Sequence, residues 1–244
     1  SVDIANYYHF MYFINSGFLE MNIVVMNDYG YVNGGAGKVA IHTAINLASQ
    51  VEKVIYFCGM GPICGELRET TNIEVICLNQ LDLLNDKLGG SIRGIYNKKA
   101  INILLKLIYH KRLDKKNTIF HVHGCYKVLS LYPLIELSRK GFKLLFFLHD
   151  YFYVCPNGVF YHYKKHKTCS LRPISLQCIS SNCDSRSFPH KIWRIMRMLF
   201  NTKIAQKNKY IDNFIAVSSF SKNIFQKYLH EDSNVILLNN PVVP

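Results

Sequence analysis

Residues 143–158 bring side chains that could do chemistry to the end of a buried element. Five consecutive apolar residues, Leu144 to Leu148, run directly into His149-Asp150, then into aromatics and Cys155-Pro156. An uninterrupted apolar run of that length reads as a strand buried on both faces. In a parallel α/β sheet, a polar pair just beyond a strand's C-terminal end lies where ligands bind. The plain alternative is a histidine that caps the strand and bonds a backbone carbonyl.

Three further constellations are candidates. His121-Val122-His123-Gly124 ends another apolar stretch. Alternation puts both rings on one side, with His123 nearer the strand end. Two histidines are short of the roughly three or four ligands a metal site needs, so a polar, ligand-facing role is expected for His123. Asn33-Gly34-Gly35-Ala36-Gly37 precedes a helical pattern, and small residues there let backbone N–H groups approach an anion. It is neither G-x-G-x-x-G nor a Walker A loop. Cys155, Cys169, Cys178 and Cys183 lie close together in the chain. Four thiolates could hold a structural zinc and pin a loop with little core of its own. No Cys-x-x-Cys pair is present, so free thiols and disulfides stay open. Cys58, Cys64, Cys77 and Cys125 sit in or beside apolar runs and read as packing residues.

The charge is uneven. The chain carries a net +13, and residues 151–211 hold eleven lysines and arginines against one acid, Asp184. A field so local attracts an anionic partner: lipid head groups, a diphosphate-linked substrate, or nucleic acid. A solvated basic face is the alternative. Within this span, His190–Asn208 reads as one helix with Ile192, Trp193, Ile195, Met196, Leu199, Phe200 and Ile204 on one side. Lys191, Arg194 and Arg197 fall on the other. Such a helix either packs on its own domain or lies on an anionic bilayer with Trp193 and Phe200 dipping in. No run of 18 apolar residues exists, so no membrane-spanning helix is expected.

The elements that must position these groups alternate. Strands are expected at Asn22–Met26, Lys53–Phe57, Ile73–Leu78, Thr118–Val122, Lys143–Leu148, Asn213–Val217 and Asn234–Leu238. Helices are expected at 38–49, 98–113, 128–140 and 220–229, the last capped by Ser218 or Ser219. Strands separated by helices make βαβ units: an α/β fold with a mostly parallel sheet and helices on both faces. Residues 150–190 break this rhythm and read as an insertion after a strand end, where long loops usually carry function. Residues 1–20 are aromatic-rich, contain no Lys or Arg, and lack a secretory signal's cleavage site. They read as an upstream or expression-derived segment, or else a short anchor. Met21-Asn22-Ile23 resembles a natural start. Eight cysteines without a secretion signal favour a reducing cytoplasm.

The order of these pieces resembles the N-terminal half of the GT-B glycosyltransferases, specifically the large family 4 of retaining sugar transferases. The matching residues are Gly34-Gly35, His121-Val122-His123, Leu148-His149-Asp150-Tyr151, Val217-Ser218 and Asn240-Pro241-Val242, spanning about residues 21–243. The resemblance implies a Rossmann-like acceptor-binding domain, one half of a GT-B architecture. Its Gly34-Gly35 loop would approach the donor diphosphate, and His149, followed by Asp150, would contact the donor sugar, with His123 and Tyr151 in the cleft. It implies a nucleotide-sugar donor, a glycan or polyprenyl-diphosphate acceptor, and peripheral attachment at the inner face of the cell membrane. Lys191, Trp193, Arg194 and Arg197 would contact the membrane or an anion. No catalytic cofactor is implied. The family's C-terminal donor domain has no counterpart before Pro244, so the isolated domain is expected to be inactive. Glu66 and Glu74 share an E-x7-E spacing with that domain, but their surroundings read as a surface turn and a strand.

Two other classes compete. A nucleic-acid-binding module would stack bases on Tyr151, Phe152, Tyr153, Tyr161 and Tyr163 within the basic span; on the transferase reading no nucleic acid is expected. A dinucleotide oxidoreductase would need an acidic residue ending the second strand, where Tyr56-Phe57-Cys58 stands.

Overall fold

The computed structural model describes residues 21–81 and 86–240. The calls on residues 1–20 and on Pro241-Val242 lie outside the described residues. Seven strands form one sheet: β1 (Asn22–Tyr29), β2 (Lys53–Met60), β3 (Ile73–Cys77), β4 (Thr118–Val122), β5 (Lys143–Leu148), β8 (Asn213–Ala216) and β9 (Asn234–Leu237). Their order is β3-β2-β1-β4-β5-β8-β9, and every pairing is parallel. Two short antiparallel strands, β6 (Tyr161–His162) and β7 (Lys167–Thr168), form a separate ribbon in the insertion. The fold is α/β and Rossmann-like. Strand order reverses between β1 and β4, which is the crevice where such sheets bind ligands.

Alternation divides the core into two layers. Val24, Met26, Phe120, Val122, Leu144 and Phe146 face one side. There they meet α4 (Lys98–His110) through Leu104 and Leu107, and α5 (Tyr132–Arg139) through Leu134 and Ile135. Ile23, Val25, Tyr56, Ile119, Leu145 and Phe147 face the other, against Ala40, Ile41, Ala44 and Leu47 of α1 (Gly35–Ala48). Because β4 and β5 are covered on both faces, their sequences are nearly all apolar.

The expected strands β4 and β5 agree to the residue, whereas β1 and β2 each run three residues further. The helix expected from Val128 begins only at Tyr132. The N–H groups of Val128 and Leu129 are taken by the Asp28 carboxylate, Ser130 adopts a left-handed backbone, and Pro133 then opens the helix. Two short helices, α2 (Gly65–Glu69) and α3 (Lys87–Arg93), lie between these elements. The insertion contains α6 (Leu176–Ser180) and leads into α7 (Phe188–Leu199). The last helix, α9 (Ser219–Phe225), is capped by Ser218 in a reciprocal box with Ser221.

The single helix expected over His190–Asn208 is broken. After α7 a π-turn spans Phe200–Ile204, Gln206 turns left-handed, and a one-turn α8 (Lys207–Tyr210) follows. Its faces also differ from the expectation. Lys191 is only 1% exposed, while Met196 is 57% and Ile204 68% exposed. Lys191 donates to the carbonyls of Cys178 and Ser181, supplying a cation to the C-terminal end of α6, where carbonyls lack helical partners. Lys191 therefore contacts neither a membrane nor an external anion.

Candidate functional site at the switch point

The last residues of β4 and β5 place three imidazoles on one face of the sheet. His121 is fully buried, tilted beside Phe147 with ring centroids 5.7 Å apart. His123 extends the ladder, donating its backbone N–H to Met26 at 2.9 Å, and stacks on Phe147 at 4.1 Å. Its Nδ1 lies 3.0 Å from Nε2 of His149. Desolvation lowers all three rings: His121 and His149 fall to about 4 and His123 drops well below the usual histidine value, pushed further by its neighbours. The pair is thus neutral at pH 7, and one ring donates the proton that the other accepts.

Beside His149, Asp150 opens to the cleft and accepts the backbone N–H of Phe152 at 3.0 Å. Crowding around its carboxyl raises its pKa by desolvation, against smaller downward pulls from that N–H and from Lys127 and Arg197. Tyr151 stacks on Phe225 at 5.1 Å, which makes it a wall rather than a free platform.

Asp28, at the end of β1, escaped the sequence reading. Its buried carboxylate accepts three backbone N–H groups, those of Lys127, Val128 and Leu129, each at 2.8 Å. It stitches the loop after β4 to β1 across the switch point. Next to it, Asn27 donates to the Tyr29 carbonyl at 2.9 Å. A Cβ at Gly124 would sit 2.6 Å from Asn27 Oδ1, so a larger residue there would have to displace the Asn27 amide. An acid among the buried residues of an apolar strand was the available signal.

These elements border a cavity of about 350 Å³. Its cations are Lys127 from the loop after β4 and Arg186, Arg194 and Arg197 from the insertion and α7. Tyr126, Phe152 and Trp193 supply aromatic walls, and Asn33 of the glycine loop stands at its edge. Arg197 is buried, donates to the Tyr126 carbonyl at 2.7 Å, and stacks against Trp193 at 4.9 Å. Burial lowers its pKa to about 10, with Arg194 adding to the effect. Among the described residues no carboxylate pairs with it; Arg194 alone has one, Asp184 at 2.9 Å. A buried guanidinium with no carboxylate in ion-pair contact, acted on only from a distance by Asp150, can seat an anion. Trp193 is half-buried and donates to the Ser91 carbonyl at 3.3 Å, which ties α7 to α3.

The glycine loop follows β1. Gly34 caps α1 at φ 102, and a Cβ built on Gly34 or Gly35 meets nothing within 4 Å, so open space lies above the loop. The structure thus brings His123, His149, Asp150, Asn33, Trp193, Arg194 and Arg197 to one end of the sheet, and it leaves Lys191 out.

The other sequence candidates separate from this site. Cys155, Cys169, Cys178 and Cys183 form no disulfide. Among the described residues no group of three His, Cys, Asp or Glu side chains is arranged to hold a metal ion. Asn157 bridges two of them instead, with Cys155 Sγ at 3.1 Å and Cys183 Sγ at 3.3 Å. Of the five insertion aromatics, Tyr153 is buried and Tyr161 packs edge-on to Tyr163 at 5.3 Å; they do not make one stacking surface. Glu74 pairs with Lys53 at 2.7 Å and Lys111 at 2.8 Å, far along the sheet on β3. Among the described residues no helix is long and apolar enough to cross a membrane.

No protein-family model matches the chain, and no curated protein matches it.

Proposed function

We propose that this chain is the acceptor-binding half of a retaining glycosyltransferase that moves a sugar from a nucleotide-sugar donor to a glycan or lipid-diphosphate acceptor, in cell-surface polysaccharide synthesis at the cytoplasmic face of the membrane. The observation that carries the reading is the cationic, aromatic-walled cavity at the switch point, whose Lys127 and Arg197 lie close enough to act on Asp150. Acceptor phosphates pair with Arg186, Arg194 and Arg197, and the first sugar lies against Trp193 or Tyr126. The two arginines on α7 cost little to preorganise because the fold already desolvates them. The donor sugar meets neutral His149, and its diphosphate approaches Gly34 and Gly35, where unblocked space admits it. In the transfer, the bond from the sugar's anomeric carbon to the leaving phosphate breaks and a bond to the acceptor hydroxyl forms. The hydroxyl proton leaves with the diphosphate. Asp150 accepts a hydroxyl hydrogen bond at the cleft, where its carboxyl is exposed.

The test uses the protein expressed from its native reading frame, incubated with membrane lipid extract and labelled UDP- and GDP-sugars, beside His149→Ala and Arg197→Met. Label transfer to lipid that falls at least a hundredfold in His149→Ala, with acceptor binding lost in Arg197→Met, is the expected result. Transfer indifferent to both changes, or oligonucleotide binding with no transfer to any donor, would overturn the assignment.

A further inference from the structure

A second cavity, of about 460 Å³, lies on the other side of the insertion and shares no residue with the first. Its cations are Arg172, Lys203, Lys207 and Lys227, and no carboxylate lines it. None of these four makes an ion pair with a described residue. Arg172, Lys203 and Lys227 stand exposed at the rim. Lys207 is 5% exposed at the wall. Its ammonium donates to the Tyr153 carbonyl and lies 3.8 Å from the centre of the Tyr153 ring. Ile174, Met198, Leu199 and Leu229 supply apolar surface. Ile174 holds a left-handed backbone, φ 63, on a β-branched residue. Such strain persists only where the surroundings impose it, and it gathers at ligand clamps.

Burying a cation without a counter-charge costs free energy that a bound anion returns. Here a buried ammonium, three rim cations and an apolar wall converge from three separate segments: the insertion after β5, the α7–α8 corner and the turn after α9. The geometry points to a second ligand site, one that takes a phosphate group attached to an apolar body. The phosphate sits among Arg172, Lys203 and Lys227 above Lys207, and the apolar part lies along Met198, Leu199 and Ile174. A phospholipid and a free phosphorylated metabolite share this chemistry. Tyr153 and Val154 in the wall follow Asp150 by three and four residues, so a bound ligand presses on the segment that carries the first site.

Calorimetric titration of the whole chain with short-chain phosphatidic acid, below its micelle concentration, and separately with pyrophosphate tests this. The variants are Lys203→Glu/Lys227→Glu, with Arg186→Glu as the control in the first cavity. Saturable binding that weakens at least tenfold in the double variant and stays within twofold in Arg186→Glu is expected. Phosphatidic acid binding tenfold tighter than pyrophosphate identifies a lipid source, and equal affinity identifies a free phosphate compound; either upholds the site. All the substituted positions are exposed, so unfolding does not mask the result, and matched thermal melting of the variants verifies it. Absence of saturable binding, or a loss confined to Arg186→Glu, would overturn the proposal. The two cavities share no residue, so a loss in the double variant reads the second site and a loss confined to Arg186→Glu places the anion in the first.

Discussion

Nδ1 of His123 and Nε2 of His149 lie 3.0 Å apart, so the tautomer of one ring dictates that of the other. His123 Nε2 is buried without a partner. A buried orphan N–H is rarer than a buried orphan acceptor, which assigns the His123 proton to Nδ1 and the His149 proton to its own Nδ1. Nitrogen-15 spectra at pH 7 should show Nδ1–H on both rings. His149 protonated at Nε2 would refute the assignment, and His123→Phe should release His149 from its fixed tautomer.

The buried imidazoles make the fold acid-labile. His121 and His149 have folded values of about 4, against roughly 6.5 in an unfolded chain. The unfolded state therefore binds more protons between these values. Stability is complete above about pH 6.5 and is lost as pH falls toward 4. Between pH 7.5 and pH 5 each ring accounts for a loss of about 2 kcal/mol, measured by urea unfolding at the two pH values. A flat profile would show that the rings are solvated.

Asp28 is expected to matter more for stability than its inconspicuous sequence position suggests. In Asp28→Asn an amide N–H₂ would face one of the three backbone donors, costing about 2 kcal/mol. Asp28→Ala leaves all three without an acceptor and should cost about 4 kcal/mol. Denaturant midpoints measure both, and equal values for the two variants would sink the account.

The two loop glycines should separate stability from function. Gly34 holds φ 102, so Gly34→Ala is expected to cost about 1–2 kcal/mol through backbone strain. Gly35→Ala meets no neighbour and should leave stability within about 0.5 kcal/mol while weakening nucleotide-sugar use in the transfer assay. Thermal melting of the pair decides the first half, and donor titration the second.

Lys207 has a folded value lowered to about 7 by desolvation, with Arg197 contributing, against roughly 10.4 unfolded. The unfolded chain binds the extra proton between these values, so the ligand-free protein gains stability as pH rises from 7 toward 10. Lys207→Met lacks that gain. The difference in unfolding free energy between the wild type and Lys207→Met, followed from pH 7 to 9.5, should therefore shift in favour of the wild type. A constant difference would mean that the amine is hydrated.

Much of the framework was legible in the sequence. Thr118–Val122 and Lys143–Leu148 could be read to the residue because a strand covered on both faces must be apolar throughout. The placing of His123 and His149 followed from counting along those strands, since side chains alternate strictly. What the chain could not reveal by itself were relations between distant segments. Asp28 finds its donors about a hundred residues later. Lys191 turns inward because a neighbouring short helix offers it two carbonyls, where a helical wheel allows only an outward cation. Arg197 joins Tyr126 and Trp193 in one cavity. Local patterning reports how much burial a segment demands, because periodicity is a property of consecutive residues. Which groups then meet, and which charges are left without partners, is set by packing between elements, and that was decided only by the tertiary structure.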